Sequence, residues 1–279
     1  MERSEKMKRI ITIGCVAVIS LCVSAEPVKL EANNKARFYN GDKLKCENGE
    51  FTIMPWKEEQ VRGGYFYLDS IPVDTTKKYR LSGEFKLIPG SQANQIRFGI
   101  VPSSAQKRQI EARSIFINPG SETELASDCK ADDTSITLKD MGNWKGENIS
   151  LVAFNVKSDQ SDLPNNNITP TIKSIVKKDG VFEVSLTGKC GKNYPAGTMV
   201  REHFAGYSYF YAGGVAVPLT ADWKKTEAII PAGEVAEASI KRWWVGTKYA
   251  SVIIESKSTD AGIMFRNVKL EEIEEQGLQ

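Results

Sequence analysis

Tyr79-Arg80-Leu81-Ser82-Gly83-Glu84-Phe85-Lys86-Leu87 alternates apolar and polar residues. Successive side chains of a strand point to opposite faces, so Tyr79, Leu81, Phe85 and Leu87 share one face. A strand with one face on a core and one in water belongs to an antiparallel sheet. Outward from this stretch the same period recurs, and no convincing helical period appears. Gly63 to Leu68, Asn94 to Val101, Ser114 to Ile117, Ile149 to Val156, Val181 to Thr187 and Thr198 to Phe204 read as strands. So do Tyr207 to Ala212, Lys224 to Ile230, Tyr249 to Glu255 and Gly262 to Leu270. Turn signals separate them: Pro89-Gly90, Pro119-Gly120, Asp179-Gly180, Pro195-Ala196-Gly197, Gly213-Gly214 and Pro231-Ala232-Gly233. Many short strands punctuated in this way predict an all-β fold, an antiparallel β-sandwich or jelly roll.

The ends of the chain read differently. Arg3, Lys6, Lys8 and Arg9 precede an apolar run from Ile10 to Val23, and Val23-Ser24-Ala25 is a small-residue cleavage site. This is the pattern of a signal peptide over residues 1–25, cut between Ala25 and Glu26. No other segment approaches membrane-spanning length. A secreted, periplasmic or cell-surface protein is therefore expected, with no integral membrane segment after cleavage. No Pro- or Ser-rich linker divides the remainder. Residues 26–275 read as one β domain, with a frayed tail at 276–279. Asn148-Ile149-Ser150 and Asn167-Ile168-Thr169 match the glycosylation sequon.

Composition narrows the chemistry. The 279 residues are 41% hydrophobic and 26% charged, which does not fit a disordered chain. The formal net charge of +2 equals the excess of the leader's four basic residues over Glu2 and Glu5. The domain is then neutral and has no electrostatic footprint for nucleic acid. A single histidine, His203, argues against His-rich metal sites and histidine relays. Beyond the leader's Cys15 and Cys22, Cys46, Cys129 and Cys190 remain, an odd number that allows at most one internal disulfide. Their spacing is not that of a metal knuckle.

Ile71-Pro72-Val73 followed by Lys78-Tyr79-Arg80-Leu81-Ser82-Gly83-Glu84-Phe85-Lys86 resembles the early strands of family 4/9-type carbohydrate-binding modules. Asp222-Trp223-Lys224-Lys225-Thr226 resembles their late tryptophan-containing strand start, and Gly262-Ile263-Met264-Phe265-Arg266-Asn267-Val268-Lys269-Leu270 their closing strand. The resemblance implies a galactose-binding-like jelly roll that binds glycan outside the cell without catalysis. The family's closing strand often carries acidic residues where this chain has Arg266 and Asn267. That departure counts against the family's structural calcium, so no cofactor is expected.

Sugars present C–H faces that stack on rings and hydroxyls that need hydrogen bonds. Tyr207, Tyr209 and Tyr211 fall at i, i+2 and i+4, which on one strand gives a row of rings on one face. Trp243 and Trp244 are adjacent and point oppositely on an extended chain, so one is a candidate for the surface. Arg201 and His203 share a strand face just before the tyrosines and are candidates for hydroxyls or an acidic sugar. Trp56, Trp144 and Trp223 read as packing residues. The rival readings are a polysaccharide lyase or glycosidase on the same fold and an adhesive protein that binds a protein partner. A glycosidase needs two facing carboxylates, and Glu202, Glu183 and Asp222 are candidates without a closely spaced acidic motif. The lyase pattern fails because Gln95-Ile96 is followed by Arg97 rather than histidine.

Overall fold

The structure is a computed structural model that describes residues 28–29, 37–39, 44–54, 65–67, 70–92, 94–258 and 261–273. The expected leader, Trp56, Gly63-Gly64, Leu68 and the tail beyond residue 273 lie outside the described residues. Two antiparallel sheets carry the alternating stretches. The first runs in the order β16 (Lys224–Ile230), β7 (Lys78–Leu87), β20 (Ile263–Ile273), β4 (Glu50–Ile53) and β3 (Leu44–Glu47), with β1 (Val28–Lys29) also pairing β20. The second runs β15 (Phe210–Pro218), β8 (Gln95–Ser103), β19 (Tyr249–Ser256), β5 (Tyr65–Tyr67) and β2 (Arg37–Tyr39), with β6 (Ile71–Pro72) also pairing β19. The chain crosses between sheets from β7 to β8, from β15 to β16 and from β19 to β20. This is an antiparallel sandwich of the jelly-roll kind.

The founding stretch behaves as its alternation requires. Tyr79, Leu81 and Phe85 are buried in the core between the sheets, while Arg80, Glu84 and Lys86 face outward. Phe85 meets Phe98 of the facing sheet edge to face, with ring centroids 5.0 Å apart. Burying one such ring contributes about 1.5–3 kcal/mol. The two sheets share one apolar cluster, to which β8 gives Ile96, Phe98 and Ile100, and β19 gives Ala250, Val252 and Ile254.

Between β8 and β15 the chain leaves the sandwich and builds a third sheet. Its order is β10 (Ser135–Leu138), β13 (Val181–Leu186), β12 (Ile168–Lys178), β11 (Ser150–Phe154), β14 (Met199–Phe204) and β9 (Thr123–Glu124). This sheet has its own buried cluster, including Leu125, Leu138, Trp144, Phe154, Val184 and Val200. The Asp179-Gly180 turn joins β12 to β13 with both residues at positive φ, 51° and 85°. That is the backbone a two-residue hairpin needs.

Three local expectations are corrected. Ser114 to Ile117 is not a strand: Ala112–Ile115 forms one helical turn, α1, because the Ser114 amide and hydroxyl both donate to the Glu111 carbonyl, at 2.9 and 2.7 Å. Gly213-Gly214 is not a turn. Both lie inside β15, where the pairing with β8 slips between Phe210 and Val217, so these glycines mark a bulge. The strand expected over Tyr207 to Ala212 starts instead at Phe210 and runs to Pro218.

The bulge sets a close approach. A Cβ on Gly99 of β8 would stand 2.3 Å from the Phe210 carbonyl oxygen and 2.6 Å from the Tyr211 Cα. Gly99→Ala is therefore expected to destabilise the chain by about 1–3 kcal/mol, read as a lowered denaturant midpoint at unchanged slope. An unchanged midpoint would show that the two strands do not meet this closely.

Candidate functional site

The segment from Ala205 to Tyr211 links the third sheet back to the sandwich and carries the expected tyrosines. Tyr207 precedes β15 and is 50% exposed, Tyr209 is half-buried, and Tyr211 is buried on the outer face of β15. They are not a flat row on one strand. Tyr207 and Tyr209 each meet the Tyr211 ring edge to face, at centroid distances of 5.9 and 6.1 Å. Edge-to-face packing is the geometry the ring quadrupoles favour.

Tyr211 is held by groups from β8, which pairs with β15, and from β19 on the far side of β8. Its hydroxyl donates to Glu255 Oε2 of β19 at 3.0 Å, and Arg97 Nη1 of β8 donates to Glu255 Oε1 at 3.0 Å. Burial, then the negative charge of Glu255, pushes the Tyr211 phenol well above its ordinary range, so the donor stays protonated. Val101 and Ile253 pack beneath the same ring. Arg97 and Glu255 were not among the sequence candidates. Their signal was the apolar-polar alternation of β8 and β19, which placed them on the face away from the core.

Beside Tyr207 lies a shallow pocket of about 220 Å³, lined by Glu111, Ala112, Arg113, Ala205, Gly206, Tyr207 and Ser208. Glu111 and Arg113 form an ion pair at its edge. Gly206 is needed at the pocket wall, because a Cβ there would stand 2.8 Å from the Ala112 Cβ. The arrangement offers an exposed ring, a carboxylate, a guanidinium and a hydroxyl within one small depression. Such groups suit a ligand that has both C–H faces and hydroxyls.

Arg201 and His203 are placed differently from their expectation. Both are fully buried, and neither reaches the surface. Arg201 donates to Asp162 Oδ2 at 2.8 Å and faces Glu122 Oε1 at 3.6 Å. Its Nε donates to His203 Nε2 at 3.3 Å, which leaves the imidazole proton on Nδ1, where it donates to the Arg113 carbonyl at 2.8 Å. His203 thus stands behind the pocket and positions the backbone of Arg113. Glu202 between them is also fully buried. Its carboxylate accepts from the amides of Lys145 and Gly146, both at 2.8 Å, and from Asn118 Nδ2 at 2.6 Å.

Neither tryptophan of the pair is on the surface. Trp243 and Trp244 form β18 (Trp243–Trp244), which pairs in parallel with β17 (Glu234–Val235), and both are fully buried in the sandwich core. Trp243 packs edge to face on Tyr79 and Phe210, at 5.4 and 5.5 Å. Trp244 donates to the Ser239 carbonyl at 2.7 Å. Adjacent residues do point oppositely, but this short strand is covered on both sides.

The outer face of the first sheet carries a second depression of about 510 Å³, lined largely by Arg80, Glu84, Lys225, Glu227, Lys269 and Glu271. Its charges pair among themselves, as in Lys225 with Glu227 at 2.7 Å. Trp223 is half-buried at its margin, with Arg266 4.2 Å and Lys86 4.6 Å from the ring centroid. Arg266 bridges Glu84 and Glu50, both at 2.8 Å, and Asn267 donates to Glu84 at 3.0 Å. The two residues that depart from the expected acidic closing strand therefore bind the carboxylates around them. Among the described residues no group of three or more His, Cys, Asp and Glu side chains is placed to hold a metal ion.

No family model matches the chain, and no curated protein matches it. Among the solved structures that match, two are similar at low levels. One is the CBM22-1 xylan-binding domain from Paenibacillus barcinonensis Xyn10C, with 8% identity, 88% of this chain and 84% of that chain covered, and a TM-score of 0.34. The other is described as CBM4 structure and function, with 12% identity, 86% and 79% covered, and a TM-score of 0.29.

Proposed function

We propose that this chain is an exported, non-catalytic glycan-binding protein whose contact surface is centred on Tyr207. The observation that supports this reading is an exposed ring, braced edge-on by Tyr211, beside a pocket that supplies Glu111, Arg113 and Ser208. Tyr207 offers a face for stacking, and the pocket offers planar charged groups and a hydroxyl for sugar hydroxyls. Tyr209 and the buried Tyr211 support the ring rather than extend the platform. The described residues include no helix long and apolar enough to cross a membrane. Export rests on the leader pattern of residues 1–25.

The test is affinity electrophoresis or glycan-array binding with the parent chain and Tyr207→Ala. Losing one stacking ring is expected to weaken binding about tenfold, equal to about 1.4 kcal/mol. The thermal midpoint should hold, because half of Tyr207 is already in water. A Tyr207→Ala chain that binds like the parent would remove Tyr207 from the site. A parent that binds no glycan in a broad panel would end the reading altogether.

A further inference from the structure

We propose that Cys129 and Cys190 are joined by a disulfide bond in the folded chain, made by exchange with a low-molecular-weight disulfide, and that Cys46 remains a free thiol. The two sulfur atoms stand 2.6 Å apart, well inside the separation of two unbonded sulfurs and roughly half an ångström beyond the bonded length of about 2.05 Å. The backbone fixes both cysteines in this relation. Cys129 and Tyr194 exchange both main-chain hydrogen bonds at 2.8 Å, and the Cys190 amide donates to the Asp133 carbonyl at 2.7 Å. Both side chains lie in the apolar cluster of the third sheet, beside Tyr194, whose ring stacks on Phe154 at 3.8 Å. Cys46 packs half-buried against the other cluster, that of the sandwich, so it belongs to a different core.

The surroundings suit neither metal binding nor nucleophilic catalysis by this pair of thiols. The His203 ring is engaged by Arg201 and Arg113, and no metal-ligand group includes the two sulfurs among the described residues. Burial pushes both thiols up, Cys129 to about 12, so little thiolate exists once the pair is folded and reduced. Exchange needs the thiolate, so the bond forms while the chain is folding and the sulfurs are still accessible. The Cys129 thiolate attacks the donor disulfide and expels one small thiol. The Cys190 thiolate then attacks the Cys129 sulfur of that mixed disulfide and expels the second. The cysteines lose two protons and two electrons, and one donor disulfide becomes two thiols. The bond closes a long loop around most of the third sheet and is independent of the glycan reading.

The test is to refold the full chain with glutathione disulfide, denature it without reductant, alkylate it and map the peptides. A linked Cys129–Cys190 peptide pair is expected, with Cys46 fully alkylated. Cys46→Ser should leave the link unchanged, and Cys129→Ser should expose Cys190 to alkylation. Reducing the linked chain should lower its thermal midpoint by roughly 5–10 °C. Alkylation of both Cys129 and Cys190 in the refolded parent, or a link from Cys46 to either, overturns the proposal. The parent map decides the matter even if a variant fails to fold.

Discussion

Glu202→Ala is expected to cost about 3–5 kcal/mol of folding stability, read as a lowered denaturant midpoint. The carboxylate is fully buried and accepts three N–H donors, from Lys145, Gly146 and Asn118. A hydrogen bond to a charged group contributes about 1.5–3 kcal/mol, and each donor left unpaired in the interior costs about 1–3 kcal/mol. The donors come from the loop after Trp144 and from Asn118, just beyond α1, so the variant should release the 143–146 segment from β14. Glu202→Gln should fall between parent and alanine. Its amide keeps one acceptor oxygen but turns a donor toward an existing N–H. A cost below about 1 kcal/mol for Glu202→Ala would show that water satisfies these donors and that the side chain is not their anchor.

The same carboxylate shows where sequence reasoning ends. The strands β7, β19 and β20 are legible because their period of two is local: each residue's face follows from its neighbours along the chain. Arg201-Glu202-His203 has no such local signal. Arg201 and His203 read as ligand candidates on one strand face and Glu202 as a candidate carboxylate, yet all three are fully buried. Their partners lie far away in sequence, with Asn118 84 residues from Glu202 and Asp162 39 residues from Arg201. Only the fold brings these groups together, and a buried charge is tolerable only when such partners exist. Trp243-Trp244 fails for a related reason, since adjacency sets opposite directions but not what lies in each. The tyrosines were partly legible. Their clustering followed from spacing, but their exposure depends on where β15 begins, which its pairing with the distant β8 decides.

Acidification from pH 6.5 to pH 4 is expected to remove about 3 kcal/mol of stability, and His203 is expected to account for it. Burial holds its imidazole down to about 4 from the ordinary 6.5, and the neighbouring Arg201 charge acts in the same direction. Its bond to the Arg113 carbonyl and the nearby Asp162 oppose the shift without reversing it. The sign follows from proton counting. Between pH 6.5 and 4 the unfolded chain binds a proton on His203 that the folded chain refuses, so stability rises with pH across that window. It is fully present above 6.5, falls as pH drops, and levels off for this group below 4. The difference of about 2.5 pH units at 1.36 kcal/mol each gives the magnitude. Carboxylates add their own losses lower down. Asp162 is raised by burial, but its bonds from Asn165 and the Lys157 amide, with the Arg201 charge, bring it below its ordinary 3.8. Its contribution is therefore present above 3.8 and lost only beneath that. Because His203 is the chain's single histidine, no other imidazole titrates in the upper window. Denaturant titrations at pH 7, 6, 5 and 4.5 should show the slope in the parent and little of it in His203→Gln, whose amide can still donate to Arg113. If the variant keeps the parent's slope, the imidazole is not the group that fails in acid.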